Sequence, residues 1–576
     1  MKNNTLHKIW NILDSVQRKN TIKILFLVVI GAFLEMISIG LIFPVVSIFI
    51  KSSNSIEEPP ETIPLFMDIA HEVFGNNDFY IILSILISAF IFKNIFLSYS
   101  VVRQSKHVFN VSSNLSVKLF YIYLHKPFID LIKYDSSTII RNIVNEINVL
   151  TNSGLLAGLS LIVELFVLVG LFVLLAVISP IGVLLITSIV GGSAYIFYMI
   201  TKKMSRKYGK RRQYYEGQRI KNVKQAFLGI KEIKLNMHEV ITIDEYRKNC
   251  LAVSRAASNH HILQQLPRLW LEFFIVIALS LSLLVIVLSN QNPINFIPVI
   301  GVFSAAAFRL IPSFNKILNS ASSLGYISSI VDILNKNIIS IGNTKEESLV
   351  KEVVFKKEIL VDGITCNYNK ENLVLSNLNM IVPFGSIIGI VGNSGSGKST
   401  LINNITGLLR PTKGKIYVDG EDIFKNLAGW RKIIGYAPQE VFLIDDTISN
   451  NITFDKTNNV TTNDKKIERA LDAAQLTEFV NSLPDGLNTI VGDNGILLSG
   501  GQRHRIALAR LFYSNPLVWI LDEATSKLDS EIEGRILKRI QSYKGVKTVI
   551  IISHNYNVMS YCDTVYRLEN NQITVI

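Results

Sequence analysis

The sequence predicts a multi-domain membrane protein, with a six-helix α transmembrane domain bearing long cytoplasmic helical extensions, followed by an α/β domain built on a phosphate loop. Three observations carry this. Six apolar runs, each near the ~20 residues that cross a hydrocarbon layer, lie within the first 320 residues. The gaps between them are charged with strong asymmetry. From residue 351 onward the pattern changes to short β-rich runs, glycine turns and helices, and Gly392–Ser399 reads Gly-Asn-Ser-Gly-Ser-Gly-Lys-Ser.

Bulk properties agree. The 576 residues suffice for two to four domains, and 49% are hydrophobic, too apolar for an ordinary soluble protein. The mean hydropathy is +0.34. The formal net charge of +13 is explained by basic cytoplasmic loops, so no nucleic-acid partner is expected. Three widely spaced cysteines (Cys250, Cys366 and Cys562) exclude a disulfide scaffold and a cysteine-based zinc motif. No cleavable signal peptide is expected, because the first apolar run begins near Ile24 and is far longer than a signal core.

Taken in order, residues 1–22 carry Leu6, Ile9, Trp10, Leu13 and Val16 at helical spacing among basic residues. They read as an amphipathic helix on the inner membrane face, with a disordered terminus as the alternative. The transmembrane domain is expected over 23–320, with spans near 24–50, 80–102, 155–178, 181–200, 270–289 and 296–318. Residues 51–79 hold Glu57, Glu58, Glu61, Asp68, Glu72 and Asp78 against Lys51 alone, whereas 202–260 hold fifteen Lys/Arg against five acids. The positive-inside rule therefore places both termini and the two long basic segments in the cytoplasm. Few Gly or Pro interrupt those basic segments, so they read as membrane helices continued beyond the bilayer. Residues 54–76 read either as a short amphipathic helix on the outer face or as a plain loop. Residues 321–350 read as a connector, and 351–576 as the α/β domain.

The phosphate loop follows the apolar run Ile387-Ile388-Gly389-Ile390-Val391 and precedes a helical pattern at Thr400. Backbone N–H groups of such a turn and the positive end of the helix dipole form an anion site. Lys398 adds a charge for β- and γ-phosphates, and the Ser399 hydroxyl can sit on magnesium. Leu498-Ser499-Gly500-Gly501-Gln502 opens a second helix N-terminus with a serine hydroxyl suited to a γ-phosphate. Leu517–Glu523 is an apolar strand ending in two acids; Asp522 suits a magnesium shell and Glu523 a general base. Gln439 could reach metal or water, His554 the γ-phosphate, and Tyr368 could stack on adenine or serve as a strand or core tyrosine.

In this order the motifs resemble Walker A, Q-loop, signature, Walker B, D-loop and H-loop of the ABC transporter nucleotide-binding domain. The preceding spans resemble an ABC exporter half-transporter of the type-IV fold. The resemblance implies ATP and Mg2+, with nucleotide contacts at Tyr368, Gly392, Asn393, Ser394, Gly395, Ser396, Gly397, Lys398, Ser399, Thr400 and Gln439. Across a dimer it implies further contacts at Ser499, Gly500, Gly501, Gln502 and Asp529. It implies Ser399, Gln439 and Asp522 at the metal, Glu523 as catalytic base and His554 as switch residue. One Walker A and one signature per chain imply a homodimer with two composite sites, both competent. The chain departs from the family at Lys527, where alanine is usual, and at Asn555, where arginine is common.

Glu35, Lys93, Glu164, Glu272 and Arg309 lie inside the expected spans and Arg268 at the start of the fifth. A charge at mid-bilayer costs about 2.5–3.5 kcal/mol on insertion scales, so each must face protein or a wet cavity. Lys93, Arg268 and Arg309 would make a cationic wall for a phosphate or pyrophosphate; the alternative anchors Arg268 at the interface and pairs Lys93 and Arg309 with the glutamates. Leu34–Pro44, Gly229–Leu235, Leu266-Pro267-Arg268 and Phe308–Ser313 resemble PglK-type exporters that flip lipid-linked oligosaccharides, and the three cations fall at matching places. The expected function is ATP-driven export of a lipid-linked oligosaccharide or related glycolipid across a bacterial inner membrane, with the nucleotide-binding domain in the cytoplasm. A peptide or multidrug exporter and an ABC ATPase gating a membrane partner are the alternatives. No peptidase domain precedes the spans, which disfavours self-processing peptide export, and intact Glu523 disfavours a purely regulatory role.

Overall fold

The structure is a computed structural model that describes residues 5–41, 78–178, 184, 187–288, 297–339, 351–367, 373–454 and 464–576. The acidic segment 51–77, including its expected outer helix, lies outside them. The chain divides into two units: Met1–Lys126 with Ile132–Thr344, and Pro127–Leu131 with Lys345–Ile576.

The first unit is helical throughout its described residues. Its long helices are Ser15–Gly40, Asp78–Leu124, Leu156–Ile178, Gly192–Leu228, Glu239–Leu288 and Ile297–Tyr326. The basic segments are thus mostly helix, as their few breakers suggested, interrupted after Leu124, ahead of Ser136, at Gly229 and ahead of Glu239. Among the described residues, Ser15–Ser38, Leu83–Leu124 and Ser136–Val173 are long and apolar enough to cross a membrane. The pair Arg309–Tyr326 and Ser328–Ile338, bent by 53°, would make a fourth. The expected spans 181–200 and 270–289 fall on helices whose apolar stretches run partly outside the described residues. The helix cluster buries Val167, Leu171, Leu175, Leu271 and Leu310. Gly209 is required where Gly192–Leu228 meets the end of Ile297–Tyr326, since a Cβ there would stand 1.8 Å from the Tyr326 carbonyl oxygen. Nearby, the Ser205 and Ser322 hydroxyls share a hydrogen bond of 2.7 Å.

One expectation is corrected here. Residues 1–22 are not one surface helix: a first helix, Thr5–Ile12, stops, and a second starts at Ser15 and runs into the first span. The Asp14 N–H donates to Gln17 Oε1 at 3.1 Å, a capping contact that restarts the helix. The apolar face of the first helix, with Ile9 and Ile12 buried, packs on helix Ser328–Ile339, and Lys8 pairs with Asp332 at 2.6 Å. Residues expected as a connector are helical as far as Ile339.

The second unit holds two sheets. Strands β1 (Glu358–Asn367), β2 (Leu373–Pro383), β4 (Lys413–Val418) and β5 (Glu421–Asp422) form an antiparallel sheet in the order β2-β1-β4-β5. The other strands are β3 (Ile387–Val391), β6 (Ile434–Ala437), β7 (Val518–Asp522), β8 (Thr548–Ile552), β9 (Thr564–Glu569) and β10 (Gln572–Val575). They form a second sheet in the order β10-β9-β3-β8-β7-β6, parallel from β9 to β6. Strands β3, β7 and β8 are buried along their whole length, which is why they read as unbroken apolar runs rather than as alternation. Their side chains still alternate between two cores. Ile387, Trp519, Leu521, Val549 and Ile551 enter one core with helix Gly500–Ser514; Ile388, Ile390, Ile520, Ile550 and Ile552 enter the other with β1 and β2.

The start of β1 is clamped by Asp419, whose carboxylate accepts the N–H groups of Lys356, Lys357 and Glu358 at 2.7, 2.8 and 3.0 Å. Partial burial opposes its charge, but these donors outweigh that and hold its carboxyl below the usual aspartate value. A depressed carboxyl stabilises above its unfolded value near 4 and loses that stabilisation as pH falls through the folded value. In Asp419→Asn, the amides of 356–358 are expected to exchange hydrogen about five-fold faster at pH 7, corresponding to about 1 kcal/mol for a partly exposed charged acceptor. The difference from native should vanish below about pH 3; hydrogen–deuterium exchange across pH checks both points.

Candidate nucleotide site

The parallel register builds the site. Ile390 pairs with Ile552, Ile552 with Asp522, and Leu521 with Ala437, so β3, β8, β7 and β6 all end at one level. Ligands of open α/β sheets bind outside these carboxyl ends. Each strand hands one expected motif to that edge: Gly392–Ser399 after β3, His554 after β8, Glu523 after β7 and Gln439 after β6. A cleft of about 280 Å³ there is lined by Ser394, Gly395, Gly397, Lys398, Ser399 and Thr400. Val374, Gln439, Asp522, Glu523 and His554 complete the lining.

The loop after β3 is shaped by what glycine permits. Gly397 caps helix Lys398–Ile405 at φ 103°, a left-handed conformation closed to most side chains. A Cβ at Gly392 would lie 2.4 Å from the Leu568 carbonyl oxygen. The loop therefore turns on backbone alone, leaving N–H groups for an anion. Lys398 Nζ donates to the carbonyls of Gly392 and Asn393 at 2.7 and 2.9 Å, closing the loop around itself. Burial lowers its ammonium pKa, and the charge of Glu523 works against that shift. The Ser396 hydroxyl is buried without a partner, a polar atom left for a ligand.

At the end of β7, Glu523 turns the chain at φ 50°, unusual for a non-glycine residue. Its N–H donates to Ile552 O at 3.0 Å, and the Ser526 N–H and hydroxyl donate to its carbonyl at 3.1 and 2.8 Å. That turn points its carboxylate between Gln439 Nε2, at 2.7 Å, and His554 Nε2, at 2.8 Å. Asp522 is buried beside it; burial raises its carboxyl, while the Tyr436 hydroxyl donates to it at 3.1 Å. The oxygen donors of Ser399, Gln439 and Asp522 converge on one cleft. They suit a hard divalent cation, whose charge would offset the burial of Asp522.

Ser499–Gln502 and Asp529 are not among the cleft's lining residues. Ser499 caps helix Gly500–Ser514 through a full capping box: its hydroxyl accepts the Gln502 N–H at 3.2 Å, and Gln502 Oε1 accepts the Ser499 N–H at 2.7 Å. The hydroxyl hydrogen is left to donate. Asp529 stands at the start of helix Ser530–Gln541 without capping it. The Lys527 stem lies against Gly500, placing the unusual lysine beside the signature helix. Asn555 accepts from Asn557 N–H at 3.0 Å and caps a short helix. Tyr368 lies outside the described residues.

Sequence reasoning assigned no role to Tyr436 or to His504, whose Nδ1 lies 3.1 Å from Ala524 O. Only the tertiary fold reveals their neighbours: the pairing of β6 with β7 for Tyr436, and the packing of helix Gly500–Ser514 for His504. Tyr436 lies three residues before Gln439, but nothing in its spacing marks Asp522 as its partner.

In the membrane unit the structure takes the pairing alternative for Arg309. It pairs with Glu35 at 2.7 Å and Glu164 at 3.3 Å, and Glu164 also accepts from Lys316 at 2.7 Å and Ser313 at 2.8 Å. Arg268 pairs with Glu272 one turn on at 2.9 Å, and Lys93 lies over the Phe90 ring at 4.1 Å. Among the described contacts, none joins these three cations to one another. Arg268 and Arg309 thus carry carboxylate partners, and Lys93 an aromatic one, which limits the cost of these charges at such depth.

Residues 375–526 match the family model of the ABC transporter. The chain is 37% identical over 218 residues to the ATP-dependent lipid A-core flippase of Ralstonia nicotianae, covering 38% of this chain and 37% of that protein. It is 32% identical over 243 residues to the mitochondrial iron-sulfur clusters transporter ATM1 of Saccharomyces cerevisiae, covering 42% of this chain and 35% of that protein. The matches thus span little more than a third of these relatives' length. A solved structure of a bacterial Atm1-family ABC exporter with ATP bound superposes with a TM-score of 0.77 at 19% identity, over 98% of this chain and 95% of that one. Residues 375–526 therefore belong to the ABC transporter family as its ATP-binding domain, carried on a chain with the fold of an ABC exporter.

Proposed function

We propose that this chain is one half of a homodimeric, ATP-driven exporter. Its cargo is a lipid-linked oligosaccharide or related glycolipid, moved across a bacterial inner membrane with the nucleotide-binding domain in the cytoplasm. The observation that carries the ATPase is Glu523, held between Gln439 and His554 at the mouth of the phosphate cleft. A carboxylate so placed can take a proton from a water attacking the γ-phosphate, while His554 and Gln439 orient it. Lys398 and the N–H groups of 392–399 hold the phosphates, and Ser399, Asp522 and Gln439 would hold Mg2+, which neutralises developing charge on the phosphate oxygens. The signature residues Ser499–Gln502 and Asp529, outside this cleft, would complete the partner's site, so closure of two chains on ATP would drive the membrane helices.

For the cargo, support comes from the relatives named lipid A-core flippases and from Arg309. Its carboxylate partners Glu35 and Glu164 keep the cation paired until a pyrophosphate competes for it. Lys93 and Arg268 are proposed to act along the same path.

Three outcomes test this. Glu523→Gln is expected to lower ATP hydrolysis at least a hundred-fold with nucleotide binding kept, as for loss of a general base. Lys398→Met is expected to weaken nucleotide binding about ten- to a hundred-fold, measured by titration with a fluorescent nucleotide, as for a lost charge-assisted contact. In proteoliposomes the native chain is expected to flip a lipid-linked oligosaccharide on ATP addition, Arg309→Ala to lose flipping and Arg309→Lys to restore part of it. A native chain that hydrolyses ATP but leaves the glycolipid in place would sink the cargo reading in favour of peptides or drugs.

A further inference from the structure

Two clefts lie along the helix pair Gly192–Leu228 and Glu239–Leu288 of the first unit. The first, about 540 Å³, is lined almost wholly by apolar groups, among them Phe197, Met204, Leu263, Trp270 and Phe273. The second, about 420 Å³, is lined by Arg211, Lys248 and Arg255 with Tyr208, Tyr215 and Asn259, and by no acid. Among the described residues none of these three cations has an ion-pair or hydrogen-bond partner. This sets them apart from Arg268 and Arg309, which are both paired.

The two clefts follow one another along the same face of the helix pair. On one helix the lining runs through Phe197, Ile200, Met204, Tyr208, Arg211 and Tyr215 in steps of three and four, a single helical face. On the other it runs from Lys248 through Leu251, Arg255, Asn259, Leu263 and Leu266 in the same steps, so the face does not change between the clefts. The eighteen helical steps from Phe197 to Tyr215 span about 27 Å at 1.5 Å each. The apolar end falls in the expected spans 181–200 and 270–289 and the turns just beyond them, and the cationic end in their cytoplasmic extensions. Apolar length followed by concentrated positive charge is complementary to one class of ligand: a lipid whose head carries more than one negative charge. Three cations exceed what a single phosphodiester needs, while the two tyrosine rings and Asn259 offer stacking and hydrogen bonds to sugar.

We infer that these two clefts together form an inner-leaflet binding site for a pyrophosphate-headed lipid, its chain along Phe197–Met204 and Leu263–Phe273 and its head among Arg211, Lys248 and Arg255. As the loading site of the cargo it rests on the glycolipid reading above; as a lipid site it stands on the clefts alone.

The test is native mass spectrometry of the full-length chain in detergent, titrated separately with a polyprenyl pyrophosphate, with phosphatidylglycerol and with inorganic pyrophosphate. Native protein is expected to bind the polyprenyl pyrophosphate at least ten-fold more tightly than the other two. The combined variant Arg211→Ser, Lys248→Ser and Arg255→Ser should lose at least ten-fold in that affinity, and Phe273→Ser several-fold. Arg211→Lys with Arg255→Lys should keep most of it, which separates loss of charge from loss of fold. Thermal melting and nucleotide affinity confirm folding in each variant. Affinity of the triple variant within two-fold of native overturns the site, and equal binding of phosphatidylglycerol or of inorganic pyrophosphate overturns the assignment of its ligand. Flipping by the native chain that persists unchanged in the triple variant overturns the loading role alone. Lipid binding by a native chain that flips nothing supports the site and defeats only the cargo reading.

Discussion

The parallel pairing of β3, β8, β7 and β6 is the constraint on which the nucleotide unit depends. The register Ile390–Ile552–Asp522 and Leu521–Ala437 brings four strands to one edge, and only there can a phosphate loop, two acids, a glutamine and a histidine meet. A slip of one residue in any of these pairs would turn its strand's side chains to the opposite core and move its terminal residue out of reach. The unbroken burial of β3, β7 and β8 specifies the register, because each strand must satisfy both cores at once.

From that edge the chemistry follows by short-range devices. Gly397 and Glu523 both take positive φ, one to open a helix around an anion and the other to swing a carboxylate off a buried strand. Strain at Glu523 is held by three hydrogen bonds at its own backbone: its N–H donates to the Ile552 carbonyl, and its carbonyl accepts from the Ser526 N–H and hydroxyl. Active sites commonly store strain in this way, and the surrounding sheet makes it affordable in conformational terms.

The membrane unit obeys a different rule. Where the sheet gathers charges, the helices disperse them into pairs: Arg309 with two glutamates, Arg268 with Glu272, and Lys8 with Asp332. Burial explains the contrast. Glu164 is nearly inaccessible and must be matched by Arg309, Lys316 and Ser313. Arg211, Lys248 and Arg255 line an open cleft where water can solvate them, so they stand without partners.

The motifs of the nucleotide unit were legible because their chemistry depends on local order: glycines before Lys398, an apolar run before Asp522-Glu523, and a serine three residues before Gln502. The helical character of the basic segments was legible for the same reason, since helices are set by neighbours three and four apart. What no local pattern held was long-range partnership. Tyr436 on Asp522 spans 86 residues, Gln439 on Glu523 spans 84, and Arg309 on Glu35 spans 274. The break of the N-terminal helix at Asp14 and its docking on residues 328–339 were likewise hidden, because periodicity shows that a face is apolar but not what it buries against. Residue type and spacing thus name the groups this chain brings to its site, and strand register and helix packing determine which of them touch.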